Sequence, residues 1–285
     1  MLTKRFMSSF PLMLILNILA TVPSFSQNEK PYLKDRGTGI PTSMFGTYIN
    51  KGEVILYPFY EYYYDKNAEY KPEQFGYNSE IDYRGLYKAH EGLFFLGYGI
   101  SNWVAFEFEV SGINATQYRS PMDNSGMPPR FNEKGLGDVE GQLRWRYNTE
   151  TSRRPEFFSY FETVFPFQKN KKLIGTQDWE LSLGTGLIKG FDWGTMTVRG
   201  AIEYSAAEDK FEIGEYAVEY LKKVSKSFSF YIGVEGTQDE LEFITDLQFH
   251  LKPWMFVRIN NSFGITSKTT DYSPELGVVF YLNKK

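Results

Sequence analysis

The chain has 285 residues, a formal net charge of −4, no cysteine and 18% aromatic residues. The lack of a basic excess argues against nucleic acid as a partner. A mean hydropathy of −0.40, with no long apolar run beyond the N-terminus, excludes a helical membrane protein. The many Phe and Tyr residues fit the aromatic girdles of outer-membrane barrels, in which alternating strands keep the mean hydropathy low.

Residues 1–26 have the features of a cleaved signal peptide. A basic start is followed by the apolar run FPLMLILNILA (10–20), which is shorter than the roughly 20 residues a membrane helix needs. Small residues then precede Gln27, where we expect cleavage. The sequence therefore predicts export, and a buried N-terminal helix is the less favoured alternative.

The stretch WVAFEFEVSG (103–112) alternates apolar residues with small or acidic ones, as Phe106 and Glu107 illustrate. A period of two indicates a strand whose two faces meet different surroundings. Most of the predicted strands have about 9–12 residues, close to the roughly 9–11 that a tilted barrel strand needs to cross a bilayer. The same alternation predicts twelve strands, at 53–64, 90–100, 103–115, 138–147, 156–167, 179–190, 195–205, 212–223, 228–236, 241–252, 255–265 and 272–282.

Short breaks follow the even-numbered predicted strands, and longer or more polar loops follow the odd-numbered ones, notably 65–89, 116–137 and 168–178. This arrangement is typical of outer-membrane barrels, with short turns in the periplasm and long loops outside. The fold class we predict is all-β: a single antiparallel up-and-down transmembrane β-barrel of about 12 strands. A soluble exported barrel is the alternative, because it shows the same alternation with its faces exchanged.

The predicted organisation has three parts. A signal peptide (1–26) precedes an irregular periplasmic lead-in (27–52) that could partly plug the lumen, and residues 53–285 form the barrel. The expected location is the outer membrane of a Gram-negative bacterium. The expected partners are outer-membrane lipid, the barrel-insertion machinery and small solutes.

Three stretches carry a resemblance to a known family. GLGDVEGQLRWRY (135–147), LGYGISNWVAFEFEV (96–110) and YSPELGVVFYLN (272–283) resemble strands of the outer-membrane barrel family labelled MetA-pathway of phenol degradation, a group assigned to transport. The resemblance implies a barrel and passage of a solute. It implies no catalytic residue and no cofactor.

The polar face of the predicted strands carries more carboxylates than arginines. In a confined channel such an excess favours cations or neutral solutes. The alternative is a plugged structural or ligand-binding barrel, in which these groups pair into a network and nothing is transported. The predicted lumen-lining residues are Glu107, Glu109, Glu140, Arg144, Arg146, Arg199, Glu203, Glu215, Glu219, Glu235, Asp246, His250 and Arg258.

Tyrosine and tryptophan recur near the ends of the predicted strands. Such residues mark the two membrane–water interfaces of a barrel. The predicted aromatic belt consists of Tyr57, Trp103, Tyr147, Trp179, Tyr204, Tyr220 and Trp254.

Catalysis and metal binding have little support in the sequence. A barrel lipase or protease would use a histidine base beside a serine or an aspartate. The chain has only His90 and His250, and no characteristic serine or aspartate motif accompanies either of them. No D-x-D-x-D-G spacing indicates calcium. We therefore predict a protein that is not an enzyme and has no catalytic residue, metal site or cofactor, with a barrel hydrolase as the least favoured alternative.

Overall fold

The structure is a computed structural model, and it describes residues 30–44, 46–207 and 209–283. The predicted signal peptide lies outside the described residues. Among the residues described, no helix is long and apolar enough to cross a membrane.

Two short strands and twelve long ones make up the described part of the chain, together with two 3-10 turns at Pro31–Leu33 and Pro72–Phe75. The strands are β1 (Ile40–Pro41), β2 (Tyr48–Ile49), β3 (Val54–Tyr70), β4 (Tyr83–Gly99), β5 (Val104–Tyr118), β6 (Arg130–Asn148), β7 (Glu156–Val164), β8 (Glu180–Phe191), β9 (Gly194–Ser205), β10 (Lys210–Lys223), β11 (Phe228–Gly236), β12 (Leu241–Lys252), β13 (Met255–Gly264) and β14 (Tyr272–Leu282).

Strands β3 to β14 close into one antiparallel barrel. Each strand pairs with its neighbours in sequence, and β14 pairs with β3 to complete the ring. Full closure leaves no strand edge with unpaired backbone groups, as a structure in lipid requires. The predicted twelve-stranded up-and-down barrel is confirmed, with every predicted strand present.

The two faces of the wall differ in polarity. Along β5, Glu107 is only 2% exposed, whereas its neighbour Phe106 is 39% exposed. Elsewhere on the outer face, Leu183 and Ile202 are cross-strand partners that are 57% and 60% exposed. The apolar side chains therefore point outwards and the carboxylates inwards. This is the orientation of a barrel in lipid, and it is the reverse of a soluble barrel with an apolar core.

The two ends of the barrel have different connections. At the end we call the turn end, the hairpins are short, as at Asp192–Trp193 and Pro253–Trp254. The first strand of the barrel, β3, begins at this end, and the last strand, β14, ends there. At the opposite end, which we call the loop end, three longer connections span 71–82, 119–129 and 165–179.

Two of the predicted loops were too long. β3 continues to Tyr70 and β4 begins at Tyr83, so most of 65–89 is strand, and β5 and β6 likewise extend into 116–137. Beyond the membrane both faces of a strand meet water. The hydrophobic alternation that marks a strand in the sequence therefore fades before the strand ends.

Residues 30–53, which we call the inner segment, pack against the inner face of the wall in the turn-end half of the barrel. β1 and β2 pair as a small hairpin, in which Ile40 lies opposite Ile49. Both isoleucines are fully buried in a cluster with Ile55 and Phe95, whose side chains belong to the inner face of β3 and β4. An apolar face of this short hairpin thus covers apolar positions of the wall.

Candidate functional site

All thirteen side chains predicted to line the lumen lie on the inner face of the wall. Cross-strand partners share a face, and the register joins Glu109 to Glu140 and Glu219 to Thr197. Their function in a solute path remains a prediction. Six of the thirteen are at least nine-tenths buried, namely Glu107, Arg144, Arg146, Glu219, Asp246 and Arg258.

Arg36 attaches the inner segment to the barrel through buried ion pairs. Its Nη2 lies 3.0 Å from Glu150 Oε2 and 3.1 Å from Glu156 Oε2, where the hairpin between β6 and β7 meets β7. The Arg36 guanidinium also lies 5.2 Å from the centre of the Tyr48 ring. Burial raises the pKa of the Tyr48 hydroxyl to about 12, so this ring stays neutral beside the arginine at physiological pH.

A second set of contacts holds the middle of the inner segment. Arg146 Nη1 donates hydrogen bonds of 3.0 Å to the backbone oxygens of both Thr38 and Gly39. Further along, the backbone N–H and hydroxyl of Ser43 donate to Glu107 Oε2 at 3.0 and 2.5 Å. Two predicted lumen residues, Arg146 and Glu107, therefore hold the inner segment in place.

A chamber of about 380 Å³ lies in the barrel interior beside Ser43 and Met44 of the inner segment. It has six carboxylates and two arginines on its wall. Acidic side chains therefore outnumber basic ones around this space. The charged residues that line it are Glu107, Glu109, Glu140, Glu162, Glu215, Glu235, Arg144 and Arg199.

Arg199 is the centre of an ion-pair cluster on one wall of the chamber. Its Nε lies 2.7 Å from Glu219 Oε1, and its Nη2 lies 2.7 Å from Glu235 Oε2 and contacts Glu215. One guanidinium thus serves three carboxylates that come from β10 and β11. The positive charge of Arg199 reduces the electrostatic repulsion between these three carboxylates.

At the loop end, the connection 165–179 folds into the mouth of the barrel. Ile174 is 3% exposed and packs on Ala89 and Ala115, two small residues of the inner face. The backbone N–H groups of Lys172 and Leu173 donate to one oxygen of Glu133 at 2.8 and 2.6 Å. This narrowing was not predicted from the sequence. The signal was the pair of alanines at inward positions, which leaves room for an inserted side chain.

One member of the predicted aromatic belt was wrong. Tyr57 is 1% exposed and points inwards, where its ring stacks on Phe59 at 4.4 Å and its hydroxyl donates to Glu275. Both faces of β3 carry aromatic residues, because the inner segment packs on the inner one. Alternation therefore could not tell inside from outside on this strand.

The other predicted belt residues lie at the two ends of the barrel. Trp103, Tyr147 and Trp254 are 47–55% exposed at the turn end, and Tyr220 stacks there on Trp193, a further exposed aromatic residue that the prediction omitted. At the loop end, the Trp179 backbone oxygen accepts from Ala206, directly after the strand that carries Tyr204. A function for these residues at the membrane interface remains a prediction.

The two histidines lie in unlike places. His90 is exposed among outer-face tyrosines, with Nδ1 2.6 Å from the Tyr60 hydroxyl. His250 is on the inner face near the turn end, with Nε2 3.1 Å from Ser229 Oγ, and its ring contacts Phe256. The Ser229–His250 contact is the nearest approach to a hydrolase pair that the described residues offer.

We expect His250→Ala and the wild-type protein to show the same background level of esterase and protease turnover. Ser229 is only 4% exposed, so a lipid or peptide carbonyl has no access to its hydroxyl. Release of a chromogenic ester and of a labelled peptide by purified protein checks this. Turnover in the wild type that His250→Ala abolishes would contradict it.

Comparison with solved structures supports the fold. An outer-membrane channel from Pseudomonas putida F1 matches with a TM-score of 0.65 and 11% identity, over 85% of this chain and 100% of that one. The translocator domain of the autotransporter NalP from Neisseria meningitidis matches with a TM-score of 0.50 and 9% identity, over 81% of this chain and 89% of that one. At such identities the likeness shows the fold alone, a closed β-barrel of the kind that these two outer-membrane proteins have.

No protein-family model and no curated protein sequence matches the chain. The family named from the three sequence stretches therefore stays a prediction, although the barrel that the resemblance implied is present.

Proposed function

We propose that the protein is a narrow channel of the Gram-negative outer membrane for small solutes, with cations and neutral compounds favoured. The observation that carries the proposal is the chamber of about 380 Å³ inside a closed barrel with an apolar outer face. Outer-membrane lipid would surround that face, and insertion would require the barrel-insertion machinery. The likeness to an outer-membrane channel supports the proposal.

The charge of the chamber supports the preference for cations. Six carboxylates and two arginines line it, and both arginines are engaged by carboxylates, Arg199 directly and Arg144 with Glu107 at 3.8 Å. The remaining negative charge acts on any ion that enters. In a channel of low dielectric surroundings this attracts cations and repels anions.

The inner segment has a place in the same proposal. It occupies the turn-end half of the barrel, where its contacts with Glu107, Arg146 and Glu156 narrow the interior. We infer that it acts as a partial plug and limits passage to small solutes. The alternative function is a structural or ligand-binding barrel through which nothing passes. The observation on the side of that alternative is the set of buried ion pairs, since such a network fills and stiffens the interior.

Conductance of the purified protein in planar bilayers separates these two functions. We expect small single-channel events, with a reversal potential in a KCl gradient that shows a preference for K⁺. Glu140→Gln, which removes one ionisable carboxyl from the chamber, should lower this preference, because fewer acidic groups then repel chloride.

Glu73→Gln is the matched control, since Glu73 is exposed in the connection between β3 and β4 and lies away from the chamber. It should leave the reversal potential unchanged. Absence of channel events from the folded wild-type protein would favour the structural barrel, and anion selectivity would contradict the proposed preference.

A further inference from the structure

The chamber has a smaller neighbour on the side of the inner segment. This second cavity has a volume of about 30 Å³, room for about one water molecule, and it lies between the β1–β2 hairpin and the wall. Among the described residues, three line both spaces: Ser43 of the inner segment, and Arg144 and Arg199 of the wall. These three residues therefore lie between the chamber and the smaller cavity, which is on its turn-end side.

Arg144 is held firmly at this partition. Its Nη1 donates to Gln142 Oε1 at 2.5 Å, and its Nε lies 3.8 Å from Glu107 Oε1. The guanidinium lies 5.2 Å from the centre of the Phe158 ring and 5.0 Å from that of Tyr160. With 3% of its surface exposed, this side chain has little freedom to swing out of the way.

Arg199 is fixed on the opposite side of the same partition by its three carboxylates. Glu219, which is 7% exposed, also lines the smaller cavity, while Glu215 and Glu235 line the chamber. The ion pairs of Arg199 thus extend across both spaces. Two guanidinium groups are therefore immobilised where the two spaces meet, and they offset part of the carboxylate charge there.

We propose that Arg144 and Arg199 form a gate that determines which solutes leave the chamber. The proposal rests on the proposed channel function and makes it more specific. The acidic chamber concentrates cations, whereas at the passage between the two spaces the two guanidinium groups offset the charge of the carboxylates paired with them and so lower the preference for cations. A small neutral solute does not respond to this change of field, so its electrostatic free energy changes less along the path than that of a simple cation.

The test is the cation-to-anion permeability ratio of the full-length protein in planar bilayers. Arg144→Gln is expected to raise this ratio about sevenfold, because one unit charge taken as about 7 Å from the path in a water-like dielectric changes the cation term about threefold and the anion term about threefold in the opposite direction. Arg199→Gln should act in the same direction. Arg144→Lys and Arg199→Lys keep the charge and should leave the ratio close to that of the wild type.

Arg84→Gln is the matched control. Arg84 is also an arginine paired with a carboxylate, Glu69 at 3.0 Å, but it is exposed near the loop end of β4 and lines neither space. Its replacement removes the same charge from the barrel and should leave the ratio unchanged. Heat-dependent mobility on gels shows, for each variant, that the barrel is folded before it is measured.

Each outcome decides between the proposals. If Arg84→Gln shifts the ratio as much as Arg144→Gln and Arg199→Gln do, the arginines act only through total charge and the gate is overturned, while the channel stands. If the two gate variants leave the ratio unchanged in an open channel, the gate is again overturned. If the folded wild type carries no current, the channel itself is refuted, and the gate with it.

Discussion

Replacing Leu247 by arginine is expected to lower the free energy of unfolding in lipid by about 2–4 kcal/mol, the usual cost of this charge at the bilayer midplane. Leu247 lies near the middle of β12 and is 41% exposed on the outer face. Lipid meets it there, and its inward neighbour Asp246 is fully buried. Urea titration of the protein folded into vesicles, followed by tryptophan fluorescence, measures the change.

Leu282→Arg is the control for depth. Leu282 is 42% exposed on the same face, but it is the last residue of β14 and lies at the rim of the barrel. The arginine can reach water from there, so the expected cost is about 0–1 kcal/mol. Equal costs for the two variants would mean that the outer face does not meet lipid, and the orientation of the barrel would have to be abandoned.

Arg36→Met is expected to release the inner segment. Breaking a buried ion pair by removing one partner costs up to about 3–5 kcal/mol. Glu150 and Glu156 stay buried in this variant, and each keeps only its second cationic partner, Lys189 at 3.0 Å and Arg146 at 3.6 Å respectively. The chain has no natural cysteine, so Thr47→Cys, at a position 1% exposed in the turn between β1 and β2, reports on the segment alone. Maleimide labelling of this cysteine should be slow with Arg36 present and much faster in the Arg36→Met background.

Single-channel conductance gives an independent measure of the same release. We expect larger events in Arg36→Met, because a displaced segment no longer narrows the turn-end half of the barrel. Arg154→Met is the control, since Arg154 is an exposed arginine of the hairpin between β6 and β7 that also carries Glu150. Labelling and conductance that are the same in both variants would show that Arg36 does not retain the segment.

The fold could be predicted from the sequence because lipid imposes a simple rule on every strand. Where one face meets lipid and the other a polar interior, residues such as Phe106 and Glu107 must alternate. The same rule placed the lumen-lining side chains on the inner face, Arg144 and Arg199 among them. It also explains why the strand extensions into 65–89 were missed, since no lipid acts on them.

The contacts inside the barrel could not be predicted in this way. Packing of the inner segment on β3 made Tyr57 resemble an outward residue, and the insertion of Ile174 depends on a loop whose sequence has no periodicity. Nor could the three carboxylates around Arg199 be paired with it, since that requires the register of β9, β10 and β11. Long-range contacts of this kind depend on geometry that a single sequence does not contain.

The pairing of β14 with β3 has a consequence for assembly of the molecule. The inner segment directly precedes β3, the strand that receives the last strand of the chain. If the seam between these strands formed with the segment outside, the segment would have to enter afterwards through the turn end and bury Arg36 against charged partners. Entry before closure avoids this, so we expect the segment to lie between the strands before β14 and β3 pair during biogenesis.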